Sequence, residues 1–299
     1  MIISASRRTD IPAFYSKWLM KRLAEGYAMM PNPRNANRLG RVALSPEVVD
    51  CIVFWTKNPK PMLDKIKEIE EMGYAFYFLF SLLPYDKTIE TNLPDKLELI
   101  STFKELSTMI GAERVIWRYD PILTDAVHTV GWHLEQFENM CEKLHCYTRR
   151  CIISFVDVYK GLGADFRVMS EPEMRAIAEG FLKVTARFGL SLATCAEAFE
   201  GLEHASCIDK ALIEQITGHL IAAKPDLNQR PACRCAQSVD IGAYDTCFNG
   251  CRYCYATSNR HHVFTHDENA PMLTGYPRGD EIVTDRTLPP LKGLPVRRL

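Results

Sequence analysis

The stretch CIVFWTKNPKPMLDKIKEIEEMGYAFYFLFSLL, residues 51–83, determines which fold this chain is expected to adopt. Two apolar runs, 51–56 and 75–83, flank an amphipathic segment at 61–73 that begins at a proline and ends at a glycine. Apolar runs without polar alternation are typical of strands buried on both faces of a parallel sheet. Proline at the start and glycine at the end are typical of a helix. The stretch is therefore predicted to be a β-α-β unit.

The same alternation continues along the chain. Further apolar runs predict strands at 2–6, 114–119, 151–158, 190–194 and 238–242. Amphipathic stretches predict further helices at 16–26, 93–111 and 171–189. A chain that alternates in this way is expected to form one parallel α/β sheet, either open or closed into a barrel.

Composition narrows the class of protein. The chain has 299 residues, 47% of them hydrophobic and 24% charged, which excludes a disordered or low-complexity protein. Its formal net charge of −1 provides no bulk attraction to nucleic acid or to an anionic membrane. The N-terminus lacks a secretory pattern, and no apolar run approaches the ~18 residues of a membrane span. We therefore expect a cytoplasmic protein without membrane contact.

The cysteines are distributed unevenly. Five of the eleven lie within residues 233–254. They are Cys233, Cys235, Cys247, Cys251 and Cys254. Because an intracellular chain does not normally keep structural disulfides, this density indicates metal binding or redox chemistry.

Three of these cysteines form a C-x3-C-x2-C motif in the segment DTCFNGCRYCYAT. Cys247, Cys251 and Cys254 could hold three irons of a 4Fe–4S cluster, which would leave the fourth iron open to a small molecule. A zinc site is the alternative, because His261 or His262 could complete a Cys3His set. The spacing by itself leaves both alternatives open.

The segment CFNGCRYCYA, residues 247–256, resembles the C-x3-C-x-aromatic-C signature of the radical S-adenosylmethionine (SAM) superfamily. Its surroundings are similar to those in spore photoproduct lyase and the "DNA repair photolyase" relatives, although Phe248 and Asn249 depart from their pattern. Other segments resemble strand-end motifs of these relatives, in the same order. They are SRRTDIPAFY (6–15), FWTKNP (54–59), FSLLPYDKTIETNLP (80–94) and WRYDPILTD (117–125). The whole chain also resembles a domain-of-unknown-function family with a cysteine-rich C-terminus.

The resemblance implies an α/β fold of the partial TIM-type (β/α) barrel class. In the relatives the cysteine loop follows the first strand, whereas here it follows all the other motifs. We therefore expect a circular permutation, in which 238–242 supplies the first barrel strand from the C-terminal end. The expected organisation is a barrel body at 1–222, an iron–sulfur region completing the barrel at 223–260, and a wrapping tail at 261–299.

The resemblance also implies an activity. In the superfamily, three cysteines hold a 4Fe–4S cluster that cleaves SAM to a 5′-deoxyadenosyl radical, which abstracts a hydrogen atom. Cys247, Cys251 and Cys254 would be the catalytic cluster ligands, and Tyr253 would lie against the adenine. An external electron donor such as ferredoxin or flavodoxin would be a partner. The substrate could be a small metabolite, a peptide or a nucleic acid. The alternative is a non-catalytic zinc or iron–sulfur module that binds a partner.

Polar residues at strand ends are the expected SAM contacts. They are Arg8, Thr9, Asp10, Ser81 and Arg118. Arg7 and Arg8 together could clamp a carboxylate or phosphate. The alternatives are that Thr9 or Asp10 caps the next helix, and that Arg118 pairs with Asp120. Other strand-end residues would face SAM or substrate. They are Lys57, Asp157, Tyr159 and Glu197.

Four cysteines outside the motif would ligate a second, fully coordinated auxiliary 4Fe–4S cluster. They are Cys195, Cys207, Cys233 and Cys235. For Cys195 and Cys207 the alternative is a role as small core residues. The remaining cysteines are expected in the core. They are Cys51, Cys141, Cys146 and Cys151.

Overall fold

A single parallel sheet of eight strands organises the protein in the computed structural model. The structure describes residues 1–32, 35–157, 166–195, 197–230, 232–257, 263–286 and 291–295. From one edge to the other the strands are β11 (Val239–Asp240), β1 (Ile2–Ala5), β4 (Cys51–Thr56), β5 (Phe76–Ser81), β6 (Val115–Ile122), β7 (Arg150–Phe155), β8 (Ser191–Thr194) and β9 (Glu203–His204). The strands predicted from the apolar runs are all found in it. Among the described strands, none pairs β11 with β9, so the α/β class is confirmed and closure into a barrel is not.

Helices lie between the strands along the chain. They are α1 (Ile11–Phe14), α2 (Ser16–Glu25), α3 (Ile66–Glu71), α4 (Lys96–Ile110), α5 (Val130–Leu144), α6 (Glu171–Phe188) and α7 (Lys210–Thr217). Their ends follow local chemistry. Ser170 and Glu173 form a capping box at the start of α6, and Gly189 ends this helix with a φ of 65°. The segment predicted as a helix at 61–73 begins instead as the 3-10 helix Lys60–Lys65.

β11, the last strand of the main sheet in chain order, lies beside β1, the first. β11 pairs in parallel with β1, with Val239 opposite Ile3 and Asp240 opposite Ser4. The Asp240 carboxylate accepts hydrogen bonds from Ser4 Oγ at 2.9 Å and Ser6 Oγ at 2.7 Å. The predicted adjacency of the C-terminal and N-terminal strands is therefore confirmed.

Both faces of the sheet are buried, which explains the lack of polar alternation. On β4, Ile52 and Phe54 belong to the core between the sheet and the helices that connect its strands. Cys51 and Val53 belong to a second core on the opposite face of the sheet, which is called the inner face here. The inner-face core also contains Ile213 of α7. A strand that is buried on both faces gives a continuous apolar run in the sequence.

Two smaller sheets lie outside the main one. A hairpin of β2 (Tyr27–Asn32) and β3 (Asn35–Ala43) is extended by β12 (Ile282–Arg286), and β10 (His219–Ile221) pairs with β13 (Lys292–Pro295). Two segments of the predicted tail thus add strands to the body. No helix in the described ranges is both long and apolar enough to cross a bilayer.

Candidate functional site

The cysteine motif occupies a loop that begins directly after β11. The loop is fixed by backbone pairing with residues 89–92. The Arg252 amide donates to Ile89 O at 2.9 Å, and the Asn92 amide donates to Asn249 O at 3.1 Å. The carboxyl ends of parallel strands lie at one edge of a sheet. The loop after β11 therefore lies at the same edge as the residues that follow β1, β4 and β5.

Gly250 explains the glycine inside the motif. Its φ is 69°, in the left-handed region that favours glycine. A Cβ atom at this position would lie 2.9 Å from Asn92 Nδ2. The loop therefore needs glycine for its backbone conformation and for its close approach to residues 89–92.

A buried ionic network fastens Tyr253 to the body of the protein. The Tyr253 hydroxyl donates to the carboxylate of Glu90, which is 1% exposed. Lys57 Nζ lies 2.8 Å from Glu90 Oε1, and Lys96 Nζ pairs with the other carboxylate oxygen. Lys57 Nζ also lies 5.4 Å from the centre of the Tyr253 ring. The aromatic residue of the motif therefore anchors the loop through its hydroxyl group.

This network places positive charge beside the cysteine loop. Burial favours the neutral acid, but the ammonium groups of Lys57 and Lys96 outweigh it and hold the pKa of the Glu90 carboxyl below its usual value. Burial raises the pKa of the Cys251 thiol to about 12, against the attraction of Lys57 for a thiolate. Two ammonium groups therefore share one carboxylate next to Cys251. Burial disfavours a thiolate at Cys251, and the nearby ammonium groups offset only part of that cost.

Asp10 links three elements. Its carboxylate accepts from the amide of Ala13 at 3.1 Å, the amide of Lys57 at 2.7 Å and Asn249 Nδ2 at 3.0 Å. Burial raises the pKa of Asp10, in opposition to these hydrogen bonds. The alternative that Asp10 caps the next helix is therefore confirmed, and both of its oxygens serve the protein itself.

The other expected SAM contacts lie at the same edge of the sheet. Arg8 lies over the Tyr244 ring at 5.1 Å, and Thr9 Oγ1 is buried without a hydrogen-bond partner in the described part of the chain. Ser81 lies opposite Arg118 in the β5–β6 register. Arg118 pairs with Asp120 at 2.8 Å, as the sequence alternative predicted.

The four cysteines outside the motif come together on the inner face. Cys195 and Cys207 have their sulfur atoms 3.3 Å apart, and Cys235 exchanges hydrogen bonds with both Cys207 and Cys233. The amide of Ile208 donates to Cys235 Sγ at 3.4 Å. Hydrogen bonding from Cys207 lowers the pKa of both Cys195 and Cys235, whereas hydrogen bonds to their neighbours raise the pKa of Cys207 and Cys233. In the protein alone, two of the four thiols therefore favour the thiolate form and two favour the neutral form.

Neither cysteine group is closed around one ion. Within the described ranges, no set of three or more His, Cys, Asp or Glu side chains has the arrangement of a metal-ion site. A single ion draws its ligands to one centre, whereas thiolates of a 4Fe–4S cluster each bind a different iron. The donor chemistry of both groups fits cluster ligation, since thiolates are the normal ligands of such clusters.

The remaining predictions have mixed outcomes. Cys51, Cys141 and Cys151 are buried as expected, but Cys146 is exposed, so its assignment to the core was wrong. Cys146 lies in the turn after α5, where no sheet or helix face covers it. Tyr159, His261 and His262 lie outside the described residues.

Two further strand-end residues have contacts of their own. Asp157 pairs with Arg230, and Glu197 Oε1 lies 3.4 Å from Ser154 Oγ. Sequence reasoning missed Glu90, Lys96 and Trp55 as site residues. Glu90 and Lys96 lie in or next to the 80–94 motif, which was the only sequence signal for them.

One known protein family matches the part of the chain that contains most of these elements. The family described as "Domain of unknown function (DUF1848)" matches residues 2–256, from β1 to just beyond Cys254. The chain belongs to the DUF1848 family. That description states no activity. No curated protein and no solved structure shows significant similarity to this DUF1848 protein.

Glu90 provides a test of the buried network in the DUF1848 protein. Glu90→Gln should lower the free energy of unfolding by up to about 3 kcal/mol at pH 7, because two half-buried ammonium groups lose their counter-ion. The folded-state pKa of Glu90 is depressed, so its stabilisation is present above the unfolded pKa of about 4.3 and is lost as the pH falls through the folded value. The difference from wild type should therefore narrow at low pH. Urea denaturation at several pH values measures it.

Glu105→Gln is the matched control, because Glu105 forms an exposed pair with Lys60. That substitution should change stability by less than about 1 kcal/mol. Equal effects of the two substitutions would show that the Glu90 network does not anchor the loop.

Proposed function

We propose that the protein is a radical SAM enzyme. The observation that carries the proposal is the position of the C-x3-C-x2-C loop. The loop follows β11, which borders β1 in parallel, at the carboxyl edge of the sheet. This is the place that a first barrel strand and its cluster loop would take in a permuted partial TIM-type barrel. The binding and orienting groups of a parallel α/β enzyme gather at that edge.

The residues present fit a cluster at this loop. Cys247, Cys251 and Cys254 would hold it, and three protein ligands leave one iron open to the amino and carboxylate groups of SAM. The half-buried ammonium groups of Lys57 and Lys96 would offset part of the negative charge at Cys251. When bound, cluster and SAM supply reductive cleavage of SAM for hydrogen abstraction, with electrons from an external donor such as ferredoxin or flavodoxin.

The protein's own residues would bind and orient SAM. Thr9 Oγ1 offers a buried hydroxyl that has no partner among the described residues. Ser81 and Arg8 lie at the same edge of the sheet, and both belong to the residues that we expect to contact the ribose or the amino acid group of SAM. Asp10 and Tyr253 would act through the loop, because hydrogen bonds to Asn249 and Glu90 hold them in place. Such positioning keeps a flexible ligand in one reactive geometry.

We also propose that the four inner-face cysteines ligate an auxiliary 4Fe–4S cluster. Three separate chain segments bring Cys195, Cys207, Cys233 and Cys235 into contact, a convergence that packing of small core residues does not require. All four iron positions of that cluster would be filled by protein thiolates.

An iron count tests the auxiliary cluster. A Cys247/Cys251/Cys254→Ala triple variant, reconstituted without oxygen, should retain about four iron atoms per chain. Cys207→Ser added to that variant should abolish the retention, whereas Cys146→Ser should not. Circular dichroism verifies folding of each variant. A folded triple variant without iron, or with zinc instead, would contradict the auxiliary cluster.

SAM cleavage tests the proposed enzyme. Reduced, reconstituted protein should convert SAM to 5′-deoxyadenosine and methionine slowly without substrate, as measured by mass spectrometry. Cys251→Ala should reduce the product to background, because two thiolates do not hold the cluster in place. Cys146→Ala is the control and should match wild type, since Cys146 is exposed and outside both cysteine groups. If iron-loaded wild type neither binds nor cleaves SAM, the enzyme proposal fails and the cluster has a structural role only.

A further inference from the structure

Three buried donor atoms at the carboxyl edge of the inner face have no hydrogen-bond partner in the described part of the chain. They are Arg7 Nη2, Trp55 Nε1 and Arg118 Nε. Guanidinium and indole nitrogens only donate, so the group that would satisfy them must be an acceptor. Buried polar atoms in native proteins are almost always paired, and each exception requires an explanation such as a ligand or an ion.

These three side chains form one cluster. The Arg7 and Arg118 guanidinium carbons lie 5.0 Å and 4.9 Å from the Trp55 ring centre. Trp55 packs against the inner-face core, and Arg118 follows Ile116 of that core by two positions, so both side chains are on the inner face. Arg7 comes directly after β1 and its amide bonds to Asp240 at 2.8 Å. Elements next to β11 and in the middle of the sheet therefore build the cluster together.

The charges of the cluster are only partly compensated. Arg118 is 9% exposed, and its Nη2 forms an ion pair with Asp120. Arg7 bonds to the Cys235 side chain and is attracted to Asp240. Each guanidinium has five N–H donors, so these contacts leave donors of both arginines available. Two arginines that share one aromatic ring suit a carboxylate or phosphate, which planar guanidinium groups bind with two hydrogen bonds.

The neighbours of this cluster show where such an anion would lie. Arg7 interacts with Cys235 and Cys207 of the inner-face group, and Arg118 interacts with Cys207 and Cys195. Tyr255, which follows Cys254 in the motif loop, also interacts with both arginines, and its hydroxyl donates to Arg7 O at 3.0 Å. The two arginines therefore lie between the inner-face cysteines and the loop of Cys247, where SAM would bind. An anion held by the two arginines would therefore lie between the two cysteine groups.

We infer that Arg7, Trp55 and Arg118 bind an anionic group of the substrate, a carboxylate or a phosphate, between the two cysteine groups. The identification of this anion as part of a substrate rests on the proposed function, whereas the anion-binding site itself does not depend on it. It narrows the substrate class to molecules with such a group. The inference therefore gives Arg118 a role in substrate recognition in place of the SAM carboxylate contact implied by the sequence resemblance, and a titration in the presence of SAM distinguishes the two roles.

Calorimetric titration of the reconstituted holo-protein with inorganic phosphate and with succinate tests the inference. At least one of the two should bind saturably at one site per chain. Arg7→Met and Arg118→Met, which keep much of the apolar length, should each weaken binding by about tenfold to a hundredfold. Arg187→Met is the control and should leave the affinity unchanged, because Arg187 is exposed on α6 and pairs with Glu138.

A second titration in saturating SAM separates the two roles. Unchanged affinity for the probe supports a substrate site, whereas loss of probe binding would assign the arginines to the SAM carboxylate and overturn the inference. Absence of saturable binding for both probes, or variants that bind like wild type, would also overturn it. Protein that binds the probe but does not cleave SAM fails the proposed function alone. Protein that cleaves SAM but binds neither probe fails this inference alone.

Discussion

The parallel pairing of β11 with β1 is the constraint on which the site depends. Only two residue pairs form it, and the Asp240 carboxylate secures it by accepting hydrogen bonds from Ser4, Ser6 and the Arg7 amide. This pairing brings a loop from the C-terminal part of the chain to the residues that follow the first strand. Gly242 permits the close approach, because a Cβ atom there would lie 2.0 Å from Ser6 Oγ. Chain order and spatial order therefore differ, and the cysteine loop meets strand ends that precede it by more than a hundred residues.

Charged side chains lie beside both cysteine groups. Glu90 is placed between Lys57 and Lys96 beside the cysteine loop, and Arg7 and Arg118 flank Trp55 beside the other cysteines. Charges taken out of water are costly unless they are paired. At the first place two ammonium groups share the Glu90 carboxylate, whereas at the second Arg118 pairs with Asp120 and Arg7 is attracted to Asp240. Each cysteine group thus lies next to cations, which is the electrostatic setting that thiolate ligands and anionic substrates require.

The sequence predicts the sheet well because both of its faces are buried. Runs such as 51–56 have no polar position to obscure them, and the spacing of Cys247, Cys251 and Cys254 marks their loop. The pairing of β2 with β3 was missed, because these half-exposed strands do not form continuous apolar runs. Glu90 and Trp55 could not be assigned from sequence, since their partners come from distant segments. Tyr253, for example, lies 163 positions from Glu90. Membership of the DUF1848 family covers the sheet and the loop together.

The most direct measurement of the central claim is the electron paramagnetic resonance spectrum of reconstituted, reduced protein before and after addition of SAM. The claim is that the loop completing the sheet at β11 holds a cluster with one iron open to SAM. A reduced-cluster signal whose g values shift on SAM addition, with no shift in Cys251→Ala, is the predicted result. Protein that holds zinc in place of iron, or an iron signal that SAM leaves unchanged, would contradict the claim.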